Sequence, residues 1–239
     1  MSLRKALTIH KRYSILSVVL SAGFMFIKNI IQWGTQLFYY PKFIILKGNA
    51  RIGIHHLTKL TLKNSKIIVE RGSFKVGIDY GYYDGGGFDS KRDVCRIHLV
   101  NSTLTINGNV SLYPGVQILA NDAEIIIGNG TKINGPSQLI AMNKIEIGGG
   151  CFFAQGVIIR DNDGHLLSTN ENPPEIECLP VKIGNHCWLG QRSMVLKGAT
   201  LSDNVVVAAG AVVTKDAEEG ALVAGIPAKV IANNISWSE

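Results

Sequence analysis

The sequence predicts a mainly β solenoid assembled from three-strand coils, and three observations predict it. Ile183, Leu189, Val195, Leu201, Val207 and Val213 are all aliphatic and stand six residues apart. The residue four places after each (Cys187, Ser193, Ala199, Val205, Ala211 and Ala217) is small or compact. The aliphatic positions also group in threes: Ile106, Leu112 and Ile118, then Ile127, Ile133 and Leu139, then Ile147, Phe153 and Ile159. Neither a helical period nor strand alternation produces this pattern. A short internal repeat buries its apolar face only by stacking on its neighbours. Three such strands close one triangular coil, with the small residues letting the backbone turn the corners.

Along the chain, residues 1–40 read as a basic, apolar helical segment. Arg4, Lys5, Lys11 and Arg12 precede the apolar stretch Ile15–Ile27, and Ile30, Ile31, Trp33, Leu37 and Phe38 continue it after Lys28. The stretch is too short for the roughly 20 residues that span a bilayer. Basic residues ahead of an apolar core also suit a signal peptide, but no clear small-residue cleavage site precedes Lys28. Two readings stay open: a helix packed on the body, or helices lying at a membrane interface. Pro41 ends the helical part.

Residues 41–105 read as an irregular β region. Leu60-Thr61-Leu62-Lys63 and Lys66-Ile67-Ile68-Val69 are short strands by their β-branched alternation. Tyr80–Arg92 breaks any repeat, and Gly85, Gly86 and Gly87 permit unusual backbone angles there. Aromatics beside glycine tilt this loop toward substrate contact. Residues 106–218 form the repeat body, interrupted by an insertion over 160–182. Extra residues fall at the ends of triplets, where exposed corners absorb them. Residues 219–239 form a C-terminal cap.

The chain has 239 residues, is 46% hydrophobic and carries a formal net charge of +6. Residues 1–69 hold 11 Lys and Arg and no acid, whereas the remainder holds 13 basic against 18 acidic residues. The basic end is not a Lys/Arg run and mixes aromatics with aliphatics, which favours a membrane surface or a phosphorylated substrate over nucleic acid. Cys95, Cys151, Cys178 and Cys187 form no CxxC pair and match no zinc spacing. They read as free thiols in a reducing compartment. No metal is expected. No GxGxxG follows a strand and opens a helix, which disfavours a dinucleotide fold.

The run IGNHCWLGQRSMVLKGATLSDNVVVAAGAVVTKDAEEGALVAGIPAKVI, Ile183–Ile231, resembles the hexapeptide-repeat acyltransferases of the left-handed parallel β-helix fold. Its likeness is to the sugar O-acetyltransferases, including maltose and galactoside acetyltransferases and those acting on bacterial capsule or lipopolysaccharide sugars. The likeness is tight over 147–231, moderate over 97–146 and looser before that. AGIPAK beside VVTKD carries the signal for coenzyme A. The resemblance alone supplies the handedness, since the general preference for right-handed crossovers points the other way.

The resemblance implies an acetyl-CoA-dependent O-acetyltransferase with a sugar or polysaccharide acceptor. It also implies a homotrimer, with coenzyme A and acceptor held between adjacent coils. A cytoplasmic location is expected; the interfacial reading of the basic, apolar residues 1–40 would place the protein at the inner face of the membrane, and the packed-helix reading would not. Two alternatives stay open: an N-acetyltransferase for an amino sugar or small molecule, and a non-catalytic scaffold.

His165 lies in IRDNDGHLL, within the insertion. An alcohol is a poor nucleophile at neutral pH, and histidine titrates where it can take that proton in the transition state. In similar enzymes the catalytic histidine follows a repeat of this kind. Asp161 and Asp163 are placed in sequence to orient the imidazole or hold a sugar hydroxyl; acids before a glycine also simply make turns. For acetyl-CoA, Gly190, Ala208 and Ala209 offer low walls for the amide-rich pantetheine arm. Thr214 and Lys215 match positions near the nucleotide end, Pro227 matches a residue packed on adenine, and Lys215 and Lys229 suit phosphates. Trp188 either lines the acetyl end or packs. A backbone N–H, with Gly190 the expected donor, would steady the oxyanion.

Overall fold

The computed structural model describes residues 43–45, 50–78, 92–168 and 175–238. The helical reading of 1–40, and all but the last residue of the loop 80–92, lie outside the described residues.

The described strands make seven coils of three. The first coil is β1 (Phe43–Ile45), β2 (Arg51–Ile54) and β3 (Lys59–Lys63), and the second is β4 (Lys66–Arg71), β5 (Ser73–Val76) and β6 (Arg96–Val100). The third is β7 (Thr103–Asn107), β8 (Val110–Leu112) and β9 (Gln117–Asn121); the fourth is β10 (Glu124–Ile127), β11 (Lys132–Ile133) and β12 (Gln138–Ala141). The fifth is β13 (Lys144–Ile147), β14 (Phe152–Phe153) and β15 (Ile158–Arg160); the sixth is β16 (Val181–Ile183), β17 (Trp188–Leu189) and β18 (Met194–Val195). The seventh is β19 (Thr200–Leu201), β20 (Val206–Val207) and β21 (Val212–Val213), before β22 (Leu222–Gly225) and β23 (Ala228–Ala232).

First strands of successive coils pair in parallel as sheet A, second strands as sheet B and third strands as sheet C. The molecule is therefore a three-faced prism with vertices A–B, B–C and C–A. Its interior is the predicted repeat. All twelve residues of the two six-residue series from Ile183 to Ala217 are at most 2% exposed. Ile147, Ile183 and Leu201 stack in register, as do Phe153, Leu189 and Val207. Inward and outward positions alternate, as strand geometry requires. Equivalent corner positions share a backbone state: Gly150, His186 and Asn204 at vertex A–B have φ of 67°, 53° and 62°.

The region read as irregular belongs to the same prism. Ile67, Leu104, Ile125 and Ile145 stack in register through β4, β7, β10 and β13. Its strands are longer and its corners carry extra residues, so the six-residue phase is hidden although the stacking is unchanged. The insertion is shorter than its sequence bounds suggest, because Arg160 closes β15 and Val181 and Lys182 open β16. At the far end β22 still pairs in parallel with β20, and β23 returns antiparallel to cover the edge of sheet B.

Candidate functional site

The insertion projects from vertex C–A as an antiparallel arm. Leu167 and Glu175 exchange backbone hydrogen bonds of 2.9 and 3.0 Å, and the Leu179 N–H donates to the Asp161 carbonyl at 2.9 Å. Residues 169–174 lie outside the described part. Asp161 still obeys the inward alternation after Ile159 and is fully buried. Its two carboxylate oxygens accept the N–H groups of Met142 and Asn143, each at 2.8 Å, from the same corner of the coil below. The Asn162 amide adds a third hydrogen bond at 2.9 Å. Asp161 thus fastens the root of the arm, and no hydrogen bond joins it to His165.

Above that root the chain turns tightly. The Arg160 guanidinium donates through Nε to the Asn162 carbonyl at 3.0 Å. Gly164 has φ +74°, a backbone state that favours glycine, and a Cβ there would displace the Arg160 guanidinium. Lys197, from the same vertex one coil later, reaches back to the arm. Its Nζ donates to Asp163 Oδ2 at 2.6 Å and also to the Glu177 carboxylate. Asp163, then Glu177, holds the Lys197 ammonium above the usual lysine range. His165 follows this braced turn and is exposed, beside Leu166 and Leu167, which are 66% and 59% exposed.

The residues expected to meet acetyl-CoA are spread around the prism. Trp188 stands on the outer face of sheet B, 40% exposed, in register between Phe152 and Val206. Gly190, Ala208 and Ala209 form corners at vertex B–C. A Cβ on Gly190 would stand 2.6 Å from the Ala209 nitrogen, so the glycine is demanded by stacking. The Gly190 N–H donates to the Val207 carbonyl at 2.8 Å, which corrects its assignment as an oxyanion donor. The N–H of exposed Ala209 makes no hydrogen bond among the described residues. Thr214 and Lys215 are exposed at vertex C–A, two coils beyond the arm, and Pro227 and Lys229 are exposed on the hairpin of β22 and β23.

The structure thus brings His165, Asp163, Thr214 and Lys215 to one vertex. Trp188 lies on the sheet opposite that vertex, and Gly190, Ala208 and Ala209 turn the next corner. Within one chain these groups do not converge.

Two residues escaped sequence reasoning. Lys197 carried a usable signal, since it occupies the corner one coil after the insertion. Trp237 carried none, because the tail has no repeat phase. The Trp237 Nε1–H donates to the His186 carbonyl at 2.8 Å, and its ring stacks on the His186 imidazole at 4.4 Å and 10°. Among the described residues no cluster of three or more His, Cys, Asp or Glu could hold a metal ion. Among them, too, no helix is long and apolar enough to cross a membrane.

A family model described as the hexapeptide repeat of succinyl-transferase matches residues 180–215. The chain is 29% identical over 126 residues to a polysialic acid O-acetyltransferase of Escherichia coli O1:K1 / APEC, covering 52% of this chain and 41% of that protein. It is 28% identical over 127 residues to the galactoside O-acetyltransferase of Escherichia coli K12, covering 53% of this chain and 62% of that one. The chain therefore spans about half the length of these curated relatives. The crystal structure of a polysialic-acid-specific acetyltransferase superposes with a TM-score of 0.57 at 23% identity, over 83% of each chain. Repeat, coil and superposition give the chain the left-handed parallel β-helix fold, and its sequence resembles the hexapeptide-repeat acyltransferases. Among such enzymes its likeness is to the sugar O-acetyltransferases.

Proposed function

We propose that the protein transfers an acetyl group from acetyl-CoA to a hydroxyl of a sugar in a bacterial surface polysaccharide, or in its precursor. The observation that carries this reading is an exposed imidazole on an arm braced from below by Asp161 and from above by Lys197. The names of the relatives, which act on polysialic acid and galactosides, supply the substrate class.

In this scheme His165 takes the proton of the acceptor hydroxyl as its oxygen attacks the thioester carbonyl. The tetrahedral intermediate collapses, the C–S bond breaks, and the imidazolium returns the proton to the departing thiolate. No acyl-enzyme forms, so much of the rate gain is positioning of two bound substrates. Among the described residues the indole N–H of Trp188 has no hydrogen-bond partner, and in this scheme it donates to the oxyanion. The free N–H of Ala209 suits a pantetheine amide, while Lys215 and Lys229 suit the phosphates of the nucleotide. Asp163 acts on His165 only by fixing the turn.

Because His165 and Trp188 occupy opposite sides of one prism, the site is completed between copies. The arm at vertex C–A of one subunit reaches the sheet B side of the next, and three copies close the ring. Residues 1–40 then hold the trimer at the inner face of the membrane, where lipid-linked saccharides are made. Cell fractionation with and without residues 1–40 checks this last point.

The deciding assay incubates the full chain with labelled acetyl-CoA and a panel of nucleotide sugars and polysaccharide fragments, then locates the label. Base-labile label on a sugar oxygen is expected. Failure to bind acetyl-CoA would remove the transferase reading.

A further inference from the structure

We propose that Trp237 and Trp188 form the walls of an acceptor subsite for a neutral, hydroxyl-rich sugar ring, an inference that rests on the sugar acetyltransfer proposed above. The tail beyond β23 is pinned by the Ile235 N–H, which donates to the Gly220 carbonyl at 2.9 Å. This sets the Trp237 ring 6.1 Å from that of Trp188, at 40°. Two tilted indoles make an angled apolar surface. The His186 imidazole covers one face of Trp237, so the other face of Trp237 and that of Trp188 are the electron-rich surfaces offered to the weakly positive C–H face of a pyranose.

Beside this surface runs an open groove of about 470 Å³, lined in part by His186, Asn204, Glu219, Asn234 and Ser236. That size lies within the about 300–1,000 Å³ of small-molecule sites. Its polar groups are pre-ordered: His186 Nδ1 lies 3.1 Å from Asn204 Oδ1, and the Asn204 amide donates to Glu219 at 3.3 Å. Amide, hydroxyl and carboxylate groups together can both donate to and accept from sugar hydroxyls. Glu219 is the charged residue of this lining, and no Lys or Arg accompanies it. A carboxylated sugar would meet like charge without a compensating cation.

Placement assigns the subsite to the acceptor. Strand β17 runs from vertex A–B to vertex B–C. The groove lies at its start, whereas Gly190, Ala208 and Ala209, proposed for the donor, lie at its end. The two ligands therefore flank Trp188.

The test uses the full chain and two readouts. Tryptophan emission is titrated with methyl hexosides and, separately, with sialic acid; acetyl-CoA affinity is measured by calorimetry. Methyl hexosides should perturb emission, and sialic acid at equal concentration should not. Trp237→Ala should weaken hexoside binding about tenfold with acetyl-CoA affinity unchanged, while Trp237→Phe keeps most of the affinity. Glu219→Lys should admit sialic acid, which keeps the proposal testable should the alanine variant fold poorly. Equal loss for both ligands, no loss for hexosides, or sialic acid binding as well as hexosides to the wild type would overturn it. A wild type that binds hexosides through Trp237 but no acetyl-CoA would refute the transferase and leave the subsite standing.

Discussion

Lys197 Nζ lies 2.6 Å from Asp163 Oδ2, and this contact ties the coil beyond the insertion to the turn that carries His165. The same ammonium binds Glu177 on the returning strand of the arm. One cation thus crosses between the prism and both sides of the arm. Partly exposed ion pairs contribute only about 0.2–1 kcal/mol to stability, so its importance lies in geometry.

Lys197→Met should therefore leave the melting temperature nearly unchanged while lowering kcat about tenfold, since small misplacements of a reacting group are expensive. High salt should reproduce part of the loss in the wild type by screening. The pH dependence has a definite sign. Asp163 and Glu177 raise the lysine above its ordinary value, so the tie is complete below the usual lysine range and is lost as pH rises through the elevated value. Kinetics at two ionic strengths, with thermal unfolding, check all three points.

Asp161 should show the opposite pattern. Its buried carboxylate accepts two backbone N–H groups of the neighbouring corner. Asp161→Ala strands both donors and should cost about 1–3 kcal/mol, seen as a lowered melting temperature. Catalytic loss in that variant should track the loss of folded protein. A stable but inactive Asp161→Ala would return the residue to a direct role in chemistry.

The two aspartates show where the sequence was legible. The six-residue phase gave the sheets, the buried positions and the location of the insertion, because stacking forces each coil to repeat the last. It could not tell whether the first insertion residue still obeyed that phase. Ile159 points in, Arg160 out and Asp161 in, so Asp161 serves the prism and Asp163 the arm, although both looked like partners of His165. The early coils were hidden because their extra corner residues change the period without changing the stack. Trp237 was hidden because its contact with His186 spans 51 residues and follows no repeat.

Cys95 offers a control on the chemistry. Burial pushes its thiol up to about 11, so at neutral pH it is the unreactive thiol form. Ellman's reagent should miss Cys95 in the native chain and count four thiols after unfolding, in keeping with four free cysteines. Cys95→Ser should retain full turnover, and a dead but folded variant would call for a thiol in the mechanism.

His165→Ala should cut kcat by about 100-fold or more, the scale of a positioned base. Acetyl-CoA affinity should stay within twofold, because no donor-binding residue is touched. Full turnover in this variant would refute the assignment.

The shared site makes a stronger claim, which mixing can test. His165 stands at vertex C–A and Trp188 on the opposite sheet, so in the proposed trimer each site would take its histidine from one copy and its indole from the neighbour. His165→Ala and Trp188→Ala should each be crippled alone. When they are denatured together in equal amounts and refolded into mixed trimers, a site is intact where a Trp188→Ala copy supplies the histidine and a His165→Ala copy the indole. Random assembly gives that pairing in roughly one site in four, and recovery near a quarter of wild-type activity is expected. Mixing without refolding is the control for subunit exchange, and it should restore less activity than refolding together. Sites contained within single chains would give no recovery in either protocol, since every chain carries one defect.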